Sequence, residues 1–278
     1  MPEGPEVKII AEGLTRHIAN KSITSIEIND KSRYHKKAPD GFPEFATSLP
    51  VKVVRVHSHG KFIWWEFANG WHAWQTLGLA GGWFLKEKVN SGIILTLDSG
   101  QKLYYDDARH FGTLKFITPD ISIQETRKKL KTLGPDILAP TPLSLAEFIT
   151  RLKKYPSHLA INIIAEQKVI SGVGNYLRSE ILYKSRINPH TTVANLTPAQ
   201  LASLYENTYA LTRASYEAGG ASIQHYSDIN STPGKFEFQM QVYGRKKTPD
   251  GLHTVKAEKI GKDTQTTYWC PDVQGGLP

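Results

Sequence analysis

Cysteine is nearly absent: Cys270 is the one thiol in 278 residues. A single thiol closes no intrachain disulfide, which excludes a disulfide-stapled secreted scaffold. It also cannot supply the several Cys ligands of a cysteine-based zinc site, so no metal is expected. No stretch approaches the roughly 20 apolar residues that a membrane-spanning helix needs. The first residues, Met1-Pro2-Glu3-Gly4-Pro5-Glu6, have neither the basic start nor the apolar run of a secretory leader. Internal repeats and low-complexity tracts are missing as well. These absences predict a soluble, intracellular, globular protein with no membrane partner. The length suggests two domains.

Positive charge is what the chain does have. Lys and Arg number 34 against 26 Asp and Glu, a net +8. The excess is not held in a tail, because residues 1–140 and 141–278 each carry a surplus of four. An evenly spread surplus fits two folded parts facing one polyanion, most simply nucleic acid. Solubility alone is the plainer explanation of the same charge.

Short apolar segments recur at Ile23–Ile28, Val51–His57, Phe62–Phe67, Ala73–Leu77, Ile93–Leu97, Leu103–Tyr105 and Leu114–Ile117, separated by Gly, Asn, Asp, Ser and Pro. This spacing predicts antiparallel strands in a sandwich or barrel. Two helices flank them. Val7, Ile10, Ala11, Leu14 and Ile18 share one helical face, and Ser122–Thr132 forms a polar helix. Three prolines and a glycine between Gly134 and Pro142 predict an interdomain linker. Beyond it the pattern turns helical. Thr141-Pro142 and Thr197-Pro198 read as N-caps followed by Pro, ahead of Leu143–Leu152 and of a long helix to Glu217. Strands are expected again at Phe236–Tyr243, Thr254–Ile260 and Thr266–Trp269, with Asp250-Gly251 as a hairpin turn.

Two strings carry chemistry. Once Met1 is trimmed, Pro2 ends the chain in a secondary amine. An α-amino group titrates near ~8, well below Lys at ~10.4, so part of it is neutral and nucleophilic at neutral pH. Such an amine adds to an aldehyde-level carbon and yields an iminium, an electron sink. Glu3 stands beside it as a proton donor or acceptor. Alternatively, the prolines stiffen a start and Glu3 and Glu6 complement a helix dipole. The second string, Lys168-Val169-Ile170-Ser171-Gly172-Val173-Gly174-Asn175-Tyr176-Leu177, joins a helical stretch at Leu159–Gln167 to a following helix. Its glycines allow close backbone approach, and Asn175 at a helix start suits a phosphate. A tight helix–helix connection with Asn175 as an ordinary cap is the structural alternative.

Together these strings resemble the formamidopyrimidine-DNA glycosylase / endonuclease VIII family of base-excision repair enzymes. The resemblance runs in order along the chain. Pro2-Glu3-Gly4-Pro5-Glu6 is similar to the family's N-terminal catalytic string, and Gly60-Lys61-Phe62 to its hairpin lysine. Leu77-Gly78-Leu79-Ala80-Gly81 is similar to its intercalation loop, and Asp107-Ala108-Arg109-His110-Phe111-Gly112 to its second wedge loop. Gly172-Val173-Gly174-Asn175-Tyr176 resembles its helix–two-turns–helix, and Val242-Tyr243-Gly244-Arg245 the start of its C-terminal finger.

The resemblance implies an α+β fold. It has an N-terminal antiparallel β-sandwich flanked by two helices, a helical domain with the helix–two-turns–helix, and a β-hairpin finger. The expected boundaries are 1–133, a linker at 134–142, 143–234, and 235–278. It also implies a monomeric glycosylase and lyase acting on double-stranded DNA that contains oxidised bases or abasic sites. Pro2 would attack C1′ of a flipped nucleotide, with Glu3 as acid and Lys61 assisting. Lys61, Asn175 and Gln265 would hold phosphates. Leu79, Arg109 and Phe111 would fill the void, and Glu6 would support the site. Neither a metal nor an organic cofactor is implied.

Three departures stand out. Many relatives hold zinc on four Cys in the finger. Here the corresponding stretches are Lys246–Gly251 and Cys270-Pro271-Asp272-Val273, which predicts a zincless finger. The finger's usual Arg is replaced by Gln265, with Lys259 or Lys262 able to compensate. Thr76 stands where many relatives have His or Arg. Lesion preference stays divided. The finger and Leu79 resemble the oxidised-pyrimidine branch, whereas Gly219–Phe236 resembles the base-capping loop of the oxidised-purine branch, which acts on 8-oxoguanine. A non-catalytic damage sensor and an RNA-binding module are the other classes the composition allows.

Overall fold

The computed structural model describes residues 2–221, 226–261 and 265–275, with the side chain of Phe238 also outside the description. The chain forms two compact units, 1–132 with 218–235, and 133–217 with 236–278. This differs from the expected boundaries, because 218–235 packs with the first unit and not with the helical region. Ile229 is the reason: it is 1% exposed and belongs to the first unit's core, and its carbonyl accepts the Leu85 N–H (3.1 Å).

In the first unit, helix α1 (Gly4–Ile18) buries Val7, Ile10, Ala11, Leu14 and Ile18, the stripe its spacing predicts. Then follow β1 (Ser22–Ile28), α2 (Phe42–Ala46), β2 (Val51–His59), β3 (Phe62–Phe67), β4 (His72–Thr76), β5 (Gly82–Phe84), β6 (Ser91–Leu97), β7 (Lys102–Asp106), β8 (Thr113–Ile117) and α3 (Ser122–Lys131). All strand pairs are antiparallel, in the order β5-β7-β6-β1-β2-β3-β4-β8. The β1–β2 ladder has only two residue pairs, so the sheet divides there into two halves. Both halves feed one core: Trp65 of β3 meets Trp83 of β5 edge-on, with ring centroids 5.3 Å apart. This is the expected sandwich. Strand β5 was not anticipated, because three residues are too few to show an alternation.

The second unit contains α4 (Leu145–Lys153), α5 (Ala160–Ile163), α6 (Asn175–Lys184), α7 (Pro198–Glu217), β9 (Lys256–Lys259), β10 (Thr266–Trp269) and α8 (Pro271–Gln274). Helix α4 starts later than Thr141-Pro142 suggests. Ser144 is its N-cap, in a reciprocal capping box with Glu147. The helical stretch expected over 159–167 shrinks to α5, because the Gln167 side chain caps the following turn. Its Nε2 donates to the carbonyls of Ala165 and Val173, and its Oε1 accepts the Gly172 N–H. Residues 134–142 are more than a linker, since Ile137 N–H donates to Ser171 O and Ser171 N–H to Pro135 O.

The strand expected at 236–243 is absent; Phe236–Gln239 is a 3-10 turn. Its continuation has no strand partner because the N–H groups of Gln241, Val242 and Tyr243 all donate to the buried Glu180 carboxylate, at 2.8, 2.9 and 2.7 Å. The β9–β10 hairpin forms as expected, in four pairs from Thr266↔Lys259 to Trp269↔Lys256.

Candidate active site

Pro2, Glu3 and Glu6 are buried at the head of α1, with Glu3 and Glu6 each 1% exposed. Glu6 organises this end. Its Oε2 accepts the Glu3 N–H (2.8 Å), and its Oε1 accepts the N–H of Ala221 (2.8 Å), 215 residues away. The same carboxylate thus fixes the backbone beside Pro2 and the first turn of the 218–235 segment. Gly220 lies against it at φ +85°, where a side chain would be strained and would crowd Glu6 and the Tyr226 ring. Burial pushes the Tyr226 hydroxyl upward, with the Glu6 carboxylate adding to the shift. The base of the segment is closed by Lys235 N–H donating to Ala218 O (3.0 Å). Ser222, part of the stretch resembling the base-capping loop, lies outside the described residues, as does Lys262.

Lys61 occupies the two-residue turn between β2 and β3, where His59 pairs with Phe62. Gly60 takes φ +55° at the first central position, the place where a two-residue hairpin favours glycine. The hairpin reaches the same end of the unit as Pro2. Asn20 N–H donates to Val53 O and Thr15 Oγ1 to Val56 O, so α1 runs antiparallel to β2. From Thr15 back to Glu3 the helix covers about 18 Å at 1.5 Å per residue. From Val56 on to Lys61 the strand covers about 16 Å at 3.3 Å per residue.

The wedge loops meet each other. The 77–81 loop joins β4 to β5, and the 107–112 loop joins β7 to β8. Gly78 has φ +62°, and a Cβ there would stand 2.5 Å from the Phe111 carbonyl carbon, so the loops touch backbone to backbone. Asp107 Oδ2 accepts the Gly112 N–H (2.7 Å), and Arg33 Nη1 donates to the carbonyls of His110 and Gly112 (3.0 and 3.1 Å). Phe111 is held 53% exposed, with the Arg109 guanidinium 5.8 Å from its ring centroid. Leu79 is half-buried. An exposed aromatic ring on a braced loop is poorly explained by core packing.

In the second unit, Gly174 is the cap of α6 and Asn175 its first helical residue. The Asn175 Oδ1 accepts a fork from Arg178, Nε at 3.0 Å and Nη2 at 2.7 Å, and its Nδ2 donates to Thr266 O at 2.9 Å. The fold therefore brings Asn175 beside Gln265, the residue before Thr266. The amide has two N–H groups, and the second suits a phosphate oxygen. Arg178, 3% exposed, was missed by sequence reasoning. Its signal was the i, i+3 spacing from Asn175 on one helical face.

Three profiles of one family match the chain in order. They are the formamidopyrimidine-DNA glycosylase N-terminal domain over residues 1–114, its H2TH domain over 133–227 and its C-terminal domain over 227–275. The chain belongs to the formamidopyrimidine-DNA glycosylase family. As a member it is a DNA glycosylase with AP lyase activity. It is similar to the formamidopyrimidine-DNA glycosylases of Latilactobacillus sakei (29% identical, covering 99% of this chain and 98% of that one) and Ligilactobacillus salivarius (26%, 99% of each). In structure it resembles the MutM (Fpg) protein of Thermus thermophilus, with TM-score 0.85 and 25% identity over the whole of both chains. It shares the fold of wild-type Lactococcus lactis Fpg in complex with DNA containing an oxidised pyrimidine, with TM-score 0.83 and 23% identity, covering 99% of this chain and 100% of that one.

The finger's candidate metal ligands are few. Among the described residues one group has the spacing for a metal ion: the donor atoms of His253, Cys270 and Asp272 lie within 4.8 Å of one another. His253 Nδ1 and Asp272 Oδ2 already contact each other at 3.2 Å, and Cys270 is buried with Val242 and Val255. Three unlike donors, one of them in an apolar cluster, fall short of the closed four-donor set of a structural zinc site. The residues do not fit zinc. His253 was not considered from sequence, because it lies just past the stretch compared with the first cysteine pair.

Proposed function

We propose that this glycosylase removes oxidised pyrimidines by preference, with oxidised or ring-opened purines as further substrates, and nicks the strand by β,δ-elimination. The observation that carries the reading is the buried head of α1, where Glu6 holds the Glu3 backbone and the 218–235 segment at once. With Met1 removed, the Pro2 nitrogen adds to C1′ of the flipped nucleotide. Glu3 donates a proton to the ring oxygen, the sugar opens, and the base departs with the C1′–N bond electrons. The resulting iminium acidifies C2′. Loss of that proton expels the 3′ phosphate, and a second elimination expels the 5′ phosphate. Water then releases the sugar fragment and restores the amine.

Lys61 and Asn175 serve as phosphate contacts, and Gln265 as an uncharged one that lacks the fork of Arg. Leu79, Arg109 and Phe111 fill the void, with Arg109 hydrogen-bonding the orphaned base. Breadth of substrate is supported by the similar fold of Lactococcus lactis Fpg, which has been seen with DNA containing an N7-benzyl-Fapy-dG and with an oxidised-pyrimidine DNA.

Incubation with an abasic-site or thymine-glycol duplex and sodium borohydride tests the chemistry. A covalent adduct at the N-terminal proline, lost in Pro2→Gly, is the expected result. Retention of Met1 in the purified protein, or strand cleavage without an adduct, overturns the mechanism. Initial rates on thymine glycol against formamidopyrimidine duplexes decide the preference.

A further inference from the structure

The first unit carries a cavity of about 530 Å³ that none of the steps above uses. It is built where three functional segments converge. Phe62 on its floor directly follows Lys61. Thr76 precedes the 77–81 loop and Thr113 follows the 107–112 loop, and the two hydroxyls hydrogen-bond at 2.7 Å. The rim is cationic: Arg33, Lys37, Lys115 and Lys129, against Asp40 as the only acidic residue among the described lining residues. Arg33 is also the residue braced to the carbonyls on either side of Phe111.

The floor is aromatic. The Phe62 and Trp74 rings meet edge-on with centroids 5.7 Å apart. The indole N–H of Trp74 donates to Thr126 Oγ1 (2.9 Å), which fixes the ring, and Lys129 Nζ lies 5.8 Å from the Phe62 centroid. Tyr34 adds a third ring at the wall, held by its hydroxyl accepting the Leu114 N–H (2.6 Å).

A single phosphate would use the lysines and leave the rings idle. A base-paired strand keeps its bases stacked away from the protein. A cation rim over an aromatic floor matches the combination that binds unpaired nucleic acid, with backbone on charge and base on ring. We infer that this cavity takes one unpaired nucleotide of a DNA strand, with the phosphate among Lys37, Lys115 and Lys129 and the base against Trp74. None of Pro2, Glu3 and Glu6 lines it, and it rests on the reading that the 77–81 and 107–112 loops engage DNA.

The probe is a fluorescein-labelled, lesion-free octathymidylate, bound to the full chain and followed by anisotropy over a salt series. Combining Lys37→Ala, Lys115→Ala and Lys129→Ala should weaken binding about tenfold. The log–log salt slope should fall by about 0.7, the loss of one single-strand phosphate contact. Trp74→Leu should weaken binding by roughly fivefold or more while keeping the slope. Lys37 and Lys115 are exposed, so the lysine variant tests the idea even if the Trp variant misfolds. An unchanged affinity and slope in the lysine variant overturns the inference. So does a folded Trp74→Leu protein that binds the oligonucleotide as tightly as the parent, since the cavity would then be a phosphate track only. Borohydride trapping of an abasic duplex reads Pro2 instead, so its failure would strike the lyase reading and leave this measurement standing.

Discussion

Each unit holds a distant piece of backbone with one buried glutamate, and the two differ in what they hold. In the second unit, Glu180 on α6 receives three consecutive N–H groups from 241–243 and ties the finger to the helix. In the first, among the described residues, Glu6 on α1 accepts the N–H of Glu3, next to Pro2, and that of Ala221 in the 218–235 segment. Glu180 has the geometry of scaffolding. Glu6 touches the backbone next to Pro2, so on the proposed mechanism it acts as a positioning residue. The same chemistry, a desolvated carboxylate accepting backbone N–H groups, ties a finger to a helix in one place and, on the proposed mechanism, aims the Pro2 amine in another.

The largest effect should come from beside the first clasp. Glu3→Gln is expected to slow base release by about a hundredfold to ten-thousandfold, the range of a lost general acid. It should still trap a preformed abasic site, because Pro2 is untouched. Single-turnover rates on the two substrates check this, and equal losses on both would make Glu3 structural.

Next comes the clasp pair itself. Glu180→Ala leaves three N–H groups without acceptors and should lower unfolding free energy by about 3 kcal/mol or more. Glu6→Ala orphans the Glu3 and Ala221 N–H groups and should lower it by about 2 kcal/mol or more, yet it should reduce base-release kcat more than Glu180→Ala does. Urea unfolding and kinetics on the same preparations make the comparison. It breaks if activity simply follows stability in both variants.

The pH dependence sharpens it further. Burial pushes the Glu180 carboxyl above its usual range, outweighing the three N–H donors and Arg245. Glutamate in an unfolded chain titrates near ~4.3. Folding thus favours the protonated form. That contribution is complete below the unfolded value and is lost as pH rises through the folded one. Glu180→Gln cannot titrate and should show a flatter fall in stability across that window. Parallel pH–stability curves for the two proteins would remove the argument.

The smallest effect is at the finger. Gln265→Arg should tighten duplex binding a few-fold and steepen the log–log salt slope by about 0.9, one added phosphate contact. Unchanged affinity means Gln265 lies away from the backbone of DNA.

Much of the first unit was legible in the chain. Ser91–Leu97 was recovered as a short apolar run bounded by turn residues, and the α1 stripe because its periodicity integrates over many positions. Gly82–Phe84 offered three residues and no period. The 236–243 stretch looked like a strand because it is aromatic and apolar, but its N–H groups go to a carboxylate 61 to 63 residues away. The α4 cap moved from Thr141 to Ser144 because Glu147 answers only a cap three residues before it. Among site residues, Pro2, Glu3, Lys61 and Asn175 stand in short local strings. Arg178, Gln167 and the Arg33 brace have no string of their own.

The sequence by itself determined the groups on offer: a proline at position 2 with an adjacent carboxyl, an evenly spread cationic surplus and a finger with one thiol. These follow from covalent order and composition. Only the tertiary structure decided that Glu6 clasps Ala221, that Phe111 stays exposed on a braced loop, and that four cations surround an aromatic floor. Each of these joins residues tens to hundreds of positions apart. Such contacts arise when buried polar groups must find partners and apolar faces must pack, conditions that no local pattern encodes.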